Sequence, residues 1–244
     1  MRAGLPVPLG FALDHALVEA IAGRDARAIV AVTACAARTR GPLAVRSSAV
    51  GEDGAASSFA GQHLTRLGVA IDGVVDAIVA VRDSVHAPSA LAYRARRGIA
   101  GPPRAGVVIQ EMVAADVAAV VFTRDPVHGQ DVVVIEASPG LGESVVNGDV
   151  VPDRFTMDRG GRVLSREAGD KDRALVLSGD RVVEVAIPAP QRATLCLDDA
   201  QLAQIHRLIG DVDRVWPAPH DLEIAFHGER IYLLQRRPLT TARE

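Results

Sequence analysis

The sequence predicts an α+β protein made of two lobes. Apolar residues recur at helical spacing through much of residues 11–97, whereas short apolar runs separated by turn residues fill the remainder. No internal repeat and no low-complexity linker interrupts either part. Helices segregated from strands in this way favour a mixed two-lobe architecture, with its seam near residues 105 to 114.

The first part contains two helical segments with a strand between them. Residues 11–38 and 73–97 each carry apolar side chains at roughly helical intervals. Residues 43–48 form a short strand-like run that ends in polar residues, and a loop of small residues follows over 49–61. We therefore expect a strand and a small-residue loop between two helical segments.

Most elements predicted in the second part of the chain are strands. Short runs rich in β-branched residues predict strands over 105–110, 118–123, 132–136, 162–164 and 182–187. Asp198 and Asp199 are suited to begin a helix, which apolar spacing extends to Ile209. A hairpin is predicted from 222–226 and 230–234, about a turn at His227 and Gly228.

Composition limits the classes of function. The chain has 244 residues, of which 48% are hydrophobic, enough for a substantial core. The formal net charge of -3 argues against a nucleic-acid module, and no apolar run is long enough to predict a membrane span. The first residues do not resemble a signal peptide, and the two cysteines, Cys35 and Cys196, fit no metal spacing. We expect a soluble cytoplasmic protein with reduced thiols and with neither nucleic acid nor membrane as a partner.

Residues 46–62 form the first segment with a chemical signature. Small residues allow backbone amides to approach an anionic ligand, and Arg46 stands where a guanidinium could bind two phosphate oxygens. Glycine and serine clusters also occur in ordinary surface loops. From composition alone, a phosphate-binding loop and a flexible surface loop both remain open.

The second segment combines Glu223 with Gln235 and Arg237. Residues two apart on a strand point to the same face, so Gln235 and Arg237 project together, and Glu223 on the preceding strand could face them. A carboxylate and an amide oxygen suit a hard cation such as Mg²⁺, and a guanidinium suits the phosphates that accompany it. A solvated strand face with a surface ion pair is the alternative.

A third segment, over residues 140–148, has the sequence GLGESVVNG. Its two leading glycines before a helix-like start could present amides to a phosphate. Two glycines are weak evidence, and a tight connection explains them as well.

Together these segments resemble a known family. The matching blocks are AVRSSA at 44–49, SFAGQ at 58–62, VVIQEMV at 107–113, FTRDPVHG at 122–129, GLGESVVNG at 140–148, PD at 152–153, DLE at 221–223 and QRRP at 235–238. They span nearly the whole chain in the family's usual order. The chain thus resembles the ATP-binding domain, of the ATP-grasp type, of the phosphoenolpyruvate synthase, pyruvate phosphate dikinase and rifampicin phosphotransferase family.

The resemblance implies roles in the first lobe and in the segment that joins the lobes. Arg46 is expected to hold phosphates, and Gly61 and Thr65 to lie in the loop that covers the nucleotide. Gln110 begins the joining segment. The backbone of that segment is expected to meet the adenine at Glu111, Met112 and Val113.

In the second lobe, the resemblance implies that Glu223 and Gln235 carry Mg²⁺ and that Arg237 neutralises charge on the transferring phosphate. Arg46 and Arg237 are therefore the expected catalytic residues. The chemistry would rest on positioning and charge compensation rather than on covalent work by the protein. Lys171 falls where the family often has a lysine, and an ordinary surface lysine is the simpler interpretation.

The chain also departs from the family pattern. Family members usually open with a segment of the type Gly-Gly-Lys-Gly-Ala-Asn, whose lysine contacts phosphates, and this chain begins just beyond it. We therefore expect a trimmed first lobe over 1–105 and a second lobe over 106–244. None of the seven histidines lies in the glycine-rich context of a phosphate carrier, so each is expected to be structural or on the surface.

Three functions remain open at this point. The favoured one is the ATP-binding component of a dikinase, which converts ATP to AMP and passes phosphate to a histidine on a separate chain that also binds the acceptor. The second is an inactive nucleotide-binding or partner-binding remnant of the same fold. The third is direct transfer from ATP to a small molecule bound between the lobes.

Overall fold

A computed structural model gives the fold, and it describes residues 4–49, 53–54, 57–58, 64–96, 98–99, 101–217 and 219–239. The predicted α+β class is confirmed, since 31% of the structure is helical and 35% is strand. The chain forms two compact units. The first unit comprises Pro8–Met112 and Gly179–Arg181, and the second comprises Met1–Val7, Val113–Ser178 and Val182–Glu244.

The first unit contains a four-stranded antiparallel sheet with helices against one face. The strands of the whole unit, including two that lie outside this sheet, are β1 (Gly10–Leu13), β2 (Leu43–Ala49), β3 (Asp53–Gly54), β4 (Ser57–Ser58), β5 (Thr65–Val69) and β6 (Ala105–Glu111). Its helices are α1 (His15–Ala22), α2 (Ala26–Ala36), α3 (Val74–Ser84) and α4 (Pro88–Arg96). The sheet has the order β1-β6-β2-β5, and β3 pairs only with β4 among the described residues.

Both predicted helical segments are broken in the structure. Residues 11–38 begin with β1, which pairs with β6, and then form α1 and α2. The side chain of Asp14 caps α1 and that of Asp25 caps α2. Arg24 between them has a positive φ of 63°, which no helix allows. The second segment divides into α3 and α4, the latter beginning at Pro88 as helix-starting prolines commonly do.

The second unit is built on a six-stranded antiparallel sheet. Its elements are β7 (Val117–Phe122), β8 (Val133–Pro139), α5 (Glu143–Val146), β9 (Asp153–Met157), β10 (Val163–Glu167), β11 (Arg173–Ser178), β12 (Arg181–Ala186), α6 (Ala189–Arg192), α7 (Asp199–Val215), β13 (His220–His227) and β14 (Arg230–Pro238). The large sheet has the order β10-β9-β8-β7-β13-β14, while β11 and β12 form a separate hairpin.

One face of the six-stranded sheet packs against α7. Apolar side chains from alternate strand positions, such as Val121, Phe155 and Leu222, join Leu202 and Ile205 of the helix in one buried cluster. Alternation along each strand therefore directs the intervening residues to the opposite face, which we call the open face. The helix start was predicted correctly, since Asp198 and Gln201 form a reciprocal capping box at the start of α7.

The boundary between the two units follows Met112, inside the seam expected near residues 105 to 114 and after the division drawn at residue 105. Strand β6 hydrogen-bonds to β1 on one side and to β2 on the other, so the first unit extends to Met112. The predicted boundary counted β6 among the later strands because composition cannot show which strand is its neighbour.

None of the described helices combines the length and apolar character needed to cross a bilayer. Cys35 and Cys196 are both free thiols.

The turn after β7 is fixed by a buried carboxylate. Asp125 is 5% exposed and accepts hydrogen bonds from the backbone N–H groups of Val127 (2.8 Å) and His128 (3.0 Å). Its second oxygen lies 3.1 Å from Nδ1 of His128. The His128 backbone hydrogen bond is the largest of the influences that lower the pKa of Asp125 to about 2.

We expect the Asp125→Asn variant to lose less stability than the wild type when the pH is lowered. Because the folded pKa lies below the ordinary value of 3.8, the ionised carboxylate stabilises the fold above that pH and loses this contribution as the pH falls toward 2. At neutral pH the variant should melt about 2–4 °C lower, as expected for about 1 kcal/mol. Melting temperatures measured from neutral pH down to about pH 2 test both effects. Asp72→Asn, at an exposed position, is the control, and equal acid slopes in wild type and Asp125→Asn would contradict the prediction.

Candidate functional site

The open face of the second unit brings the predicted polar residues together. Glu223 on β13 and Gln235 on β14 are direct cross-strand partners, and Asp221 is the partner of Arg237. All four residues therefore lie on the face opposite the α7 core, because Leu222 between the two acidic residues is buried in that core. The structure thus places Glu223 and Gln235 as neighbours and Arg237 beside them.

A β-bulge produces this arrangement. Ile224 pairs with Leu233, whereas Glu223 pairs with Gln235, which leaves Leu234 as an extra residue on β14. An extra residue reverses the alternation of side chains beyond it. The bulge therefore turns Gln235 and Arg237 to the same face as Glu223.

Charge and burial at this point suit an anionic ligand with a cation. The guanidinium of Arg237 lies 4.0 Å from the carboxylate of Glu223, and their side chains are 18% and 22% exposed. Half-buried groups are screened less by salt than surface pairs, so they act more strongly on a bound charge. Arg237 could compensate a phosphate while Glu223 compensates a metal ion.

The donor set at Glu223 and Gln235 fits magnesium in part. It offers one carboxylate and one amide oxygen, and no group of three or more His, Cys, Asp or Glu side chains able to hold a metal occurs within the described ranges. Magnesium keeps several waters and is commonly held by one or two protein groups together with substrate phosphates. The residues present therefore suit a magnesium ion that arrives with a nucleotide, rather than a permanent all-protein site.

A row of cross-strand neighbours leads from Glu223 across the sheet to Glu136 and Arg154, two polar residues that the sequence analysis did not identify. Val120 on β7 pairs with Glu223 on one side and Glu136 on the other, and Glu136 pairs with Arg154. Nη1 of Arg154 donates to Oε1 of Glu136 over 2.9 Å, and both side chains are about one-third exposed (37% and 32%). The period-two pattern of β8 would have shown Glu136 on this face, but only the strand order reveals the row.

The first unit also has an open sheet face that carries predicted residues. Arg46 on β2 pairs with Thr65 on β5 and with Val108 on β6. Val45 and Ile109, the adjacent positions on β2 and β6, are buried against the helices, so Arg46 lies on the opposite face. Gln110, whose partner is Ala44, shares that face. Thr65 is the first residue of β5, so it lies in a strand rather than in the loop that was expected to cover a nucleotide.

The segment expected to meet the adenine is tied to the first unit by its backbone. The N–H of Glu111 donates to the carbonyl oxygen of Leu9 (2.8 Å), and that of Met112 donates to Pro42 (3.0 Å). These two amides are therefore engaged within the protein. Recognition of a base at Met112 would have to use its carbonyl oxygen, and Val113 begins the second unit.

Two other predicted features are the small-residue loop that contains Gly61 and the GLGES segment. Gly61 and most of the small-residue loop lie outside the described residues. In the GLGES segment, Gly140 has a φ of +82°, and a Cβ there would lie 2.3 Å from the carbonyl oxygen of Leu175. A tight connection thus explains this glycine, and α5 is only a four-residue helix.

The prediction that Lys171 is a surface lysine is wrong. Its side chain has no exposed surface, and its ammonium group forms an ion pair with the equally buried carboxylate of Asp153. Asp153 also accepts hydrogen bonds from the backbone N–H groups of Gly169 (2.8 Å) and Cys196 (2.7 Å). Burial, followed by the contact with Asp153, raises the pKa of the Cys196 thiol. These contacts join the β10–β11 loop and the loop before α7 to Asp153 of β9, and they make Lys171 a structural residue.

Comparison with known proteins gives a consistent result. One protein family, described as pyruvate phosphate dikinase, AMP/ATP-binding domain, matches residues 11–244. A probable phosphoenolpyruvate synthase of Archaeoglobus fulgidus is 36% identical over 205 residues, covering 83% of this chain and 27% of the relative. A rifampicin phosphotransferase of Streptomyces sviceus is 37% identical over 219 residues, covering 86% of this chain and 25% of the relative.

A third relative adds a different name. The prodigiosin synthesizing transferase PigC of Serratia marcescens is 36% identical over 245 residues, covering 99% of this chain and 26% of the relative. The chain thus spans about a quarter of the length of these curated relatives. Among solved structures, D-alanyl-alanine synthetase A of Vibrio cholerae aligns with 99% of this chain and 54% of its own, at 11% identity and a TM-score of 0.40.

Proposed function

Because the chain belongs to the pyruvate phosphate dikinase AMP/ATP-binding domain family, we propose that it is the ATP-binding component of a dikinase-type phosphotransferase. In this proposal the two units are the two lobes of an ATP-grasp domain. ATP and water are converted to AMP and inorganic phosphate, while one phosphoryl group passes to a histidine carried by another domain or chain. That histidine then passes the group to a small-molecule acceptor.

One observation supports the proposal above the others. Glu223, Gln235 and Arg237, which lie far from most of the other family blocks in sequence, share one half-buried patch of the open face. A carboxylate, an amide oxygen and a guanidinium in one patch are the groups needed to hold a cation and the phosphates that it accompanies. A solvated strand face would not require a bulge that turns Gln235 and Arg237 toward Glu223.

The residues would act by position and charge. A bound magnesium ion would supply positive charge that offsets the charge of the phosphates. Glu223 and Gln235 would hold that ion, while Arg237 would stabilise the additional charge of the transition state. Arg46 would orient the phosphates from the first unit, and Gln110 with its following backbone would receive the adenine.

The acceptor is proposed only by class. The relatives are named for phosphoenolpyruvate synthesis and for phosphorylation of rifampicin, so pyruvate and a rifamycin-like antibiotic are the candidate acceptors. The acceptor and the carrier histidine belong in this proposal to the parts of those relatives that the chain does not match.

Calorimetric titration with ATP tests the proposal directly. We expect wild-type protein to bind ATP with a large dependence on magnesium, and Glu223→Gln to bind ATP equally with magnesium or with chelator present. Glu229→Gln, at an exposed position of the β13–β14 turn, is the matched control and should behave as wild type. Absence of ATP binding by the folded wild-type protein would refute the proposal.

A second assay separates turnover from binding. The protein mixed with a chain that bears the carrier histidine should form AMP and phosphate only when magnesium is present. Binding without AMP formation, with the carrier shown to be folded, would instead identify an inactive nucleotide-binding remnant. Formation of ADP and a phosphorylated small molecule without the carrier would indicate direct transfer.

A further inference from the structure

A second polar cluster lies directly behind the candidate site, on the α7 side of the β13–β14 hairpin. Nε of Arg236 donates to Nδ1 of His220 over 3.2 Å, and Nη2 of Arg236 lies 3.1 Å from the same atom. Nε2 of His220 lies 3.1 Å from Oδ1 of Asp213 near the end of α7. The guanidinium of Arg236 also lies over the ring of Trp216, 5.2 Å from its centroid. We call Asp213, Trp216, His220 and Arg236 the rear brace.

The rear brace requires a neutral histidine. His220 has no exposed surface, and burial, followed by the nearby Arg236 charge, lowers its pKa although Asp213 opposes that shift. A neutral imidazole can accept a hydrogen bond at Nδ1 only if its proton is on Nε2. The direction of the Arg236 contact therefore assigns the proton to Nε2, the atom that lies 3.1 Å from Oδ1 of Asp213.

The backbone of His220 is held as firmly as its ring. Its N–H donates to Oγ1 of Thr123 over 2.7 Å, and its carbonyl oxygen accepts from the N–H of Thr123 over 2.8 Å. Thr123 is itself fully buried, at the end of β7. The imidazole is thus a fixed point to which Arg236 is attached.

Arg236 connects this fixed point to the candidate site. Gln235 and Arg237 are its neighbours on β14 and project to the opposite face, beyond the bulge at Leu234. A bulge interrupts regular pairing at one residue, and β14 is an edge strand, so its residues beyond the bulge have a sheet partner on one side only, β13. A guanidinium that lies over Trp216 and shares its Nε and Nη2 donors on one nitrogen of His220 can supply a further hold, because its planar fork restricts rotation.

We propose that Arg236 and His220 are positioning residues: the rear brace fixes the last residues of β14 so that Gln235 stands opposite Glu223. This inference deepens the function proposed above and rests on it for its consequence, but the hold on the strand is a property of the protein alone. It predicts an effect on strand mobility and, separately, on the use of magnesium.

Hydrogen exchange of the ligand-free protein tests the hold. In Arg236→Gln the amides of residues 234–237 should exchange about tenfold faster than in wild type, as expected when local opening becomes easier. Arg236→Lys keeps the charge but not the planar fork and should give an intermediate rate. Arg230→Gln is a matched control. The guanidinium of Arg230 also lies over an aromatic ring, 5.3 Å from the centroid of Tyr232 on the same strand, but Arg230 is far from the candidate site. Its replacement should leave the exchange of these amides unchanged.

Titration with ATP tests the consequence. The ratio of dissociation constants measured with chelator and with magnesium should fall about tenfold in Arg236→Gln, because a misplaced ligand weakens its metal. A merely structural arginine would lower the melting temperature without changing this ratio. Unchanged exchange at 234–237 in a folded Arg236→Gln protein would overturn the rear brace. Failure of the wild type to bind ATP would refute the proposed function instead, and the exchange result would still decide the brace.

Discussion

Replacing Lys171 by methionine is expected to lower the free energy of unfolding by about 3–5 kcal/mol, the usual result of breaking a buried ion pair by removing one partner. Lys171 and Asp153 have no exposed surface, so the remaining carboxylate could not be reached by water to replace the lost ammonium group. The hydrogen bonds from Gly169 and Cys196 would remain, but neither carries a formal charge. Urea-induced unfolding followed by circular dichroism measures this loss.

A second substitution should recover much of that stability. Lys171→Met combined with Asp153→Asn removes both charges and keeps an oxygen that can accept from the backbone of Gly169 or Cys196. Arg166→Met provides the exposed counterpart, because Arg166 is paired with Asp199 on the surface and its loss should cost under about 1 kcal/mol. A cost for Lys171→Met no larger than that of Arg166→Met would show that the buried pair does not stabilise the fold.

Replacing Arg237 by alanine is expected to slow AMP formation by a factor of about 10²–10³, the range found when one preorganised donor to a transition state is removed. Its side chain is 18% exposed and its guanidinium lies 4.0 Å from Glu223, whereas the adjacent Arg236 projects to the opposite face of the sheet. Arg237→Lys should recover only part of the rate, because an ammonium group cannot bind two phosphate oxygens in one plane. The rate is measured with the carrier chain and saturating magnesium ATP.

The same variant distinguishes the roles of neighbouring residues. Since Glu223 and Gln235 remain, ATP binding by Arg237→Ala should still depend on magnesium, whereas Glu223→Gln should lose that dependence. Arg207→Ala is the control, because Arg207 is exposed on α7, on the other side of the sheet. Arg237→Ala with normal AMP formation would exclude Arg237 from the reaction.

Much of the fold follows from local patterns in the sequence. The strand-like runs became β6, β7, β8, β10 and β12, and the paired acidic residues at Asp198 and Asp199 mark the start of α7. The two-residue period of a strand was enough to place Gln235 and Arg237 on one face. These features depend on residues close together in sequence, which is why composition and spacing could show them.

Other features depend on contacts between distant residues. Lys171 lies in a loop and is buried because Asp153 of β9 compensates its charge, and no local pattern around Lys171 shows this. Residues 11–13 have apolar spacing compatible with a helix, but their pairing with β6 makes them a strand. The row from Glu223 to Arg154 likewise appears only when the strand order is known.

Because Leu234 adds one residue to β14, the number of residues between the turn and Gln235 decides which face of the sheet Gln235 occupies. Counted from the turn without it, Leu234 would stand opposite Glu223, and Gln235 would point into the core beside Leu222. A hairpin grafted from a relative with one residue fewer or one residue more between the turn and Gln235 would therefore exchange the faces to which Gln235 and Arg236 project. Chimeras of this domain should be designed by matching the number of residues between the turn and Gln235, even where the residues themselves differ.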